Sequence, residues 1–141
     1  NILAGEIKDR LGCISFYVHD IHYNLFVKLL SDRFGIQVRG GCACAGTYGH
    51  FLLNVTREQS KAITDQIDKG DFSRKPGWVR LSLHPTMTDG ELVYIMDAIE
   101  QIVHHAQEWG NDYIYSPTRN EFSHKTFPDR REQILEEWFK L

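Results

Sequence analysis

Apolar and polar positions along the 141 residues switch period several times, and each switch predicts an element. Residues Gly12 to His19 are rich in β-branched and aromatic side chains and predict a strand. Asp20 offers an N-cap, and Leu25, Phe26, Leu29 and Leu30 recur at helical spacing, predicting a helix over 22–34 that Gly35 ends. Ile36 to Arg39 reads as a short strand broken by Gly40-Gly41, followed by a glycine-punctuated loop from Cys42 to Gly49. His50 to Asn54 forms a helical turn on this reading. Thr56 and Gln59 have capping-box spacing, and Ile63 and Ile67 mark one face of a helix reaching about Asp68.

Lys69 to Gly77 is a polar connection, and Trp78 to His84 alternates as a third strand. Thr88 and Glu91 repeat the capping-box spacing. Leu92, Ile95, Met96, Ile99, Val103 and Ala106 then predict the core face of a long helix ending near Gly110. Asn111 to Phe127 predicts an irregular segment pinned by Tyr113, Tyr115, Phe122 and Phe127. A last helix starts at Pro128 or Asp129, with Ile134, Leu135, Trp138 and Phe139 at apolar spacing. The order β-α-β-loop-α-β-α plus a tail predicts an α/β or α+β fold, with about three short strands in one sheet and helices packed on it. Residues 1–110 form one unit on this reading and 111–141 a C-terminal extension.

Composition narrows the function classes. Apolar residues at 42% and charged residues at 25% exclude a disordered chain, a collagen-like repeat and a bare coiled coil. A net charge of -3 with no basic block argues against nucleic acid as a partner. No apolar run is long enough to span a bilayer, so no membrane partner is expected. Three cysteines, two of them separated by one residue, do not form a disulfide framework and point to a reducing, cytoplasmic compartment. The chain begins at Asn1, in the middle of a pattern, and reads as a piece of something longer.

The segment Arg39 to Gly46 concentrates the candidate chemistry. A cysteine reacts as its thiolate and needs access and a nearby cation. Arg39, five residues before Cys44, is a permanent cation. Two alternatives stand beside this reading. Cys42 and Cys44 can be small buried side chains under a turn. Cys42, Cys44 and His50, with Cys13 or His19, can supply metal ligands, although Cys-x-Cys lacks the spacing of structural zinc sites. Arg80, in the middle of the third strand beside Trp78 and Ser82 in the alternation, is either a surface cation or a planar fork for a carboxylate. Ser123-His124-Lys125 has the composition of a Schiff-base lysine context.

The run Phe34-Gly35-Ile36-Gln37-Val38-Arg39-Gly40-Gly41-Cys42-Ala43-Cys44-Ala45 resembles a segment of class V aminotransferase-fold enzymes, the group that includes cysteine desulfurases and selenocysteine lyases. Val79-Arg80-Leu81-Ser82-Leu83 and the capped helix from Thr88 are similar to that family's arginine-bearing strand and final helix. The resemblance covers about residues 12–108. It implies the small C-terminal domain of a pyridoxal-phosphate enzyme. The cofactor lysine would lie in a large domain upstream, with no cofactor-binding residue and no metal ligand in this fragment. It further implies that the fragment alone is inactive, that the parent is a homodimer and that the substrate is an amino acid. Cys44 falls where desulfurases take sulfur as a persulfide, Arg80 where the family grips the α-carboxylate, and Arg39 on the loop's arginine. Ser123-His124-Lys125 lies after the small-domain core, so it is not the family's Schiff-base lysine. Two departures are an alanine at position 43, where desulfurases often have histidine, and the extra thiol Cys42. The alternatives are an aminotransferase-like enzyme without persulfide chemistry, a stand-alone thiol or metal-binding module, and an interaction domain built on the aromatic tail.

Overall fold

A computed structural model of the chain describes residues 1–42, 46–127 and 131–140. Strands β1 (Cys13–Phe16), β2 (Arg39–Gly41) and β3 (Trp78–Ser82) form a three-stranded antiparallel sheet in the order β1-β3-β2. The N-terminal residues extend its β1 edge: Ile2 bridges Phe16, and the Leu3 amide donates to the Ser15 carbonyl at 2.8 Å. A separate hairpin pairs β4 (Tyr113–Ser116) with β5 (Glu121–His124). Helices α1 (Tyr23–Phe34), α2 (Gly46–Leu52), α3 (Arg57–Ile67), α4 (Asp89–Gly110) and α5 (Arg131–Trp138) complete the described elements. The fold is mixed α and β with antiparallel pairing throughout, so it is α+β. Among the described residues no helix is long and apolar enough to cross a membrane.

Antiparallel alternation gives the sheet two unlike faces. Ile14, Phe16, Val79 and Leu81 point to one side, where α1 and α4 lie across them. Phe26, Leu29 and Leu30 of α1 and Ile95, Ala98, Ile102 and Ala106 of α4 fill the core between. The other face carries Cys13, Ser15, Arg39, Trp78, Arg80 and Ser82.

Local signals set most helix ends. Both capping boxes form: Thr56 accepts from the Gln59 amide at 3.2 Å, and Thr88 accepts from the Glu91 amide at 3.2 Å. Gly35 closes α1 at φ 67°, with its amide on Ser31 and the Ile36 amide on Leu30.

Several expectations need correction. The N-cap of α1 is His22, not Asp20, because Asp20 sits at φ +63° while His22 is extended and its Nδ1 accepts the Asn24 amide at 3.1 Å. The strand expected over 36–39 begins at Arg39 and includes both glycines. A Cβ on Gly40 would lie 3.2 Å from the Tyr23 ring, so the glycine permits the strand to approach α1 rather than breaking it. Gly46 to Leu52 is helical where a loop and a later turn were expected. On α4, Met96 (69% exposed) and Val103 (44%) face outward, and Ala98 and Ile102 take the buried stripe beside Ile95 and Ala106. The irregular tail is instead the β4–β5 hairpin, held to α1 by the Tyr113 hydroxyl donating to Asp32 at 3.0 Å. The expected start of the last helix, Pro128 or Asp129, lies outside the described residues.

Candidate functional site

The register places Arg39 directly opposite Arg80 on neighbouring strands. Directly opposed residues share a face, with side chains close enough to interact, and like charges so placed repel. No carboxylate forms an ion pair with either arginine among the described residues. Arg80 is half-buried and its Nε has no hydrogen-bond partner among the described residues, whereas Arg39 is exposed. Two cations opposed on one face, one of them partly desolvated, are suited to an anion. A carboxylate suits them best, through paired N–H donors.

Ser15 flanks Arg80 from the β1 side, and Cys13 pairs with Ser82. On the same sheet face a cavity of about 340 Å³ opens between the N-terminal turn and α2, lined by Arg10, Cys13, Ser15, Tyr48, Leu52 and Trp78 among others. Arg10 holds that turn by donating to the carbonyls of Ile7, at 2.9 Å, and Ala4. Trp78 is buried because Gly49 brings α2 against it: a Cβ there would lie 3.2 Å from the indole and 3.5 Å from the Cys42 Cβ. Cys42 is therefore half-buried at the end of β2, beside the α2–Trp78 contact.

Of the residues singled out from sequence, Arg39 and Arg80 come together. Cys44 lies outside the described residues, as do Ala43 and Ala45. Cys13 is exposed on β1, across the sheet from Cys42. His50 Nδ1 is hydrogen-bonded to Ser60 Oγ at 2.7 Å. Among the described residues no group of three His, Cys, Asp or Glu side chains is arranged to hold a metal ion. In the Ser123-His124-Lys125 run, His124 lies edge-on to Tyr113 with ring centroids 5.0 Å apart, and Lys125 binds the Asn111 carbonyl. These contacts brace the hairpin.

A second cluster was not anticipated from sequence. Asn120, at the hairpin turn, donates through Nδ2 to the Tyr23 hydroxyl at 2.7 Å and accepts at Oδ1 from the Tyr115 hydroxyl at 2.9 Å. The His22 ring sits among Tyr23, Tyr115 and Phe122, at 4.6, 5.1 and 5.3 Å between centroids. Tyr115 and Phe122 stood out as anchors, but their target did not, because nothing local ties residue 120 to residue 23. Burial raises the Tyr23 pKa; the Asn120 donor opposes this, and the nearby Cys42 adds to the rise.

His22 makes this cluster pH-sensitive. Its Nδ1 accepts the Asn24 amide, so the neutral ring carries its proton on Nε2, which is buried without a partner among the described residues. Burial holds the His22 pKa below the usual imidazole value. The folded chain thus binds fewer protons at this site than the unfolded chain. His22 favours folding most above about pH 6.5, and that contribution is lost as the pH falls from there through its folded pKa. Urea unfolding of His22→Asn, which retains a capping acceptor, should show a shallower loss of stability between neutral and mildly acidic pH than the parent. Parallel pH profiles would refute this assignment.

No family model, curated protein or solved structure matches the chain.

Proposed function

We propose that this chain is the C-terminal domain of a cytoplasmic, pyridoxal-phosphate-dependent enzyme acting on an amino acid, of the cysteine desulfurase or selenocysteine lyase type. The observation that carries this reading is the Arg39–Arg80 pair, opposed across two strands on the sheet face away from the core, with no acidic partner among the described residues. The pair suits the α-carboxylate of an amino acid. The planar fork of Arg80 makes two parallel hydrogen bonds to it, and Arg39 adds the second charge. The cysteine-bearing segment follows Arg39 directly in the chain, and Cys42 lies at the end of the strand that carries Arg39.

The described residues fit the substrate end of such a site, since they offer cations for a carboxylate. The cofactor lysine belongs to a large domain upstream. When bound, pyridoxal phosphate supplies an electron sink that weakens bonds around the substrate's α-carbon. This chain orients the substrate through its carboxylate and presents Cys44 as the thiolate that accepts sulfur or selenium. Tyr48 and Phe51 on α2 and Ile7 and Leu11 in the N-terminal segment expose large apolar surfaces, as a face covered by another domain would. The parent is a homodimer on this reading. The same arginine pair also supports an aminotransferase-like enzyme that uses no thiol, and Cys44 separates the two.

In the full-length enzyme, Arg80→Lys should raise the Michaelis constant for the amino acid by the equivalent of about 1–3 kcal/mol, the worth of hydrogen bonds to a charged group. A normal Michaelis constant and rate would return Arg80 to an ordinary surface role. An absorbance band of bound cofactor in this chain alone would contradict the division of labour.

A further inference from the structure

Two glycines flank the arginine pair, and both meet the same side chain. A Cβ on Gly77 would lie 2.6 Å from Tyr23 Cε1, and one on Gly40 would lie 3.2 Å from Tyr23 Cδ2. The Tyr23 ring therefore fills the space that a side chain at 77, just before β3, would take, and together with Val27 Cγ2 at 2.9 Å and Asn24 Oδ1 at 3.1 Å it closes the space beside Gly40 in the middle of β2. Those strands carry Arg80 and Arg39, and β2 leads directly into Cys42. At its other end Tyr23 is held by Asn120 alone among the described hydrogen bonds to its hydroxyl, and Asn120 is fixed in turn by Tyr115. The Asn120 carbonyl also accepts from the Asn24 side chain. Asn120 sits at φ +55°, a left-handed conformation that asparagine adopts more readily than most residues. The Phe72 amide, in the connection before β3, donates to the Pro117 carbonyl at 3.0 Å and ties the same turn to that strand's approach.

Building on the reading of Arg39 and Arg80 as one carboxylate site, we propose that the β4–β5 hairpin is a strap for that site, with Asn120 as a positioning residue acting through Tyr23 on β2, β3 and Cys42. Among the described residues no ion pair or side-chain hydrogen bond joins the hairpin to either arginine. It sets the depth at which the Tyr23 ring lodges beneath Gly40 and Gly77, and so the relation of the two strands whose register opposes the guanidiniums. Loss of the Asn120 side chain frees the Tyr23 hydroxyl and lets the end of β2 open locally, without removing any core contact.

The thiols report this directly in the chain as it stands. Cys42 lies at the end of β2, and Cys13 lies exposed on the far strand as an internal standard. Alkylation by iodoacetamide, followed residue by residue by peptide mass spectrometry, gives both rates in one sample. Asn120→Gly keeps the left-handed turn and removes both side-chain hydrogen bonds. The Cys42 rate should rise about fivefold, the change in a local opening equilibrium that one net hydrogen bond carries, while the Cys13 rate stays the same. If the glycine variant does not fold, Tyr23→Phe, which keeps the ring and deletes only the hydroxyl, should give the same selective rise. An unchanged or slower Cys42, or a parallel rise at Cys13, overturns the strap. No cofactor or turnover enters the measurement. A selective rise together with a normal Michaelis constant in Arg80→Lys would leave the strap standing and remove the carboxylate site.

Discussion

Replacing Phe26 with alanine should cost about 3–5 kcal/mol of stability, the usual range for emptying a buried phenylalanine site. Phe26 is 1% exposed, and its ring meets Phe16 edge-on, with centroids 5.5 Å apart. Phe16 lies on β1 and Phe26 on α1, so the contact joins the sheet to its helical layer. The loss has two parts: apolar area returned to water, and a cavity that the rigid sheet behind cannot close. Against a typical domain stability of about 5–15 kcal/mol, such a loss leaves little margin. Equilibrium urea unfolding measures it. A loss below about 1 kcal/mol, the range of exposed substitutions, would mean that the α1–sheet interface is not packed as described.

The second large effect concerns chemistry. On the proposed reading, with an added thiol to reduce the Cys44 persulfide, Cys44→Ala abolishes sulfide release from cysteine by the full-length enzyme and leaves the bound cofactor's absorbance unchanged. Only a thiolate at this position can take the sulfur, and a methyl group offers no lone pair for the transfer. The arginine pair still holds the substrate, so binding persists. Sulfide release at the parental rate would remove Cys44 from the reaction. Parental transamination without sulfide release in either protein would establish the aminotransferase-like alternative.

The elements legible from sequence are those specified within a few neighbouring residues. The Thr56–Gln59 and Thr88–Glu91 pairs each close inside one helical turn, and both caps form as their spacing predicts. Gly35 ends α1 because glycine adopts positive φ at little cost. The alternation Trp78-Val79-Arg80-Leu81 assigns Arg80 to the face opposite Val79 and Leu81, and the sheet agrees. Errors arose where a distant partner overrides a local rule. Gly40-Gly41 reads as a strand breaker, yet Val27, Asn24 and Tyr23 of α1 crowd position 40 so closely that glycine fits there within the strand. Met96 and Val103 are apolar and near the correct period, but the stripe that meets α1 is set by where the two helices touch, and it passes through Ala98 and Ile102 instead. The 111–127 segment lacks strong strand periodicity and becomes a hairpin because α1 supplies partners for Tyr113 and Asn120.

The candidate site divides along the same line. Alternation was enough to put Arg80 on the non-core side of its strand, because side-chain direction along a strand is a local property. It left Arg80 between a surface cation and a fork for a carboxylate, and only the family resemblance named it together with Arg39. That the two arginines oppose each other is a matter of strand register, settled by contacts between segments 41 residues apart. The same holds for the Asn120–Tyr23 link, which spans 97 residues. Short-range preferences cost little entropy to satisfy and can be read in sequence order. Long-range pairings depend on which surfaces the assembled core brings together, and no stretch of the chain carries that information by itself.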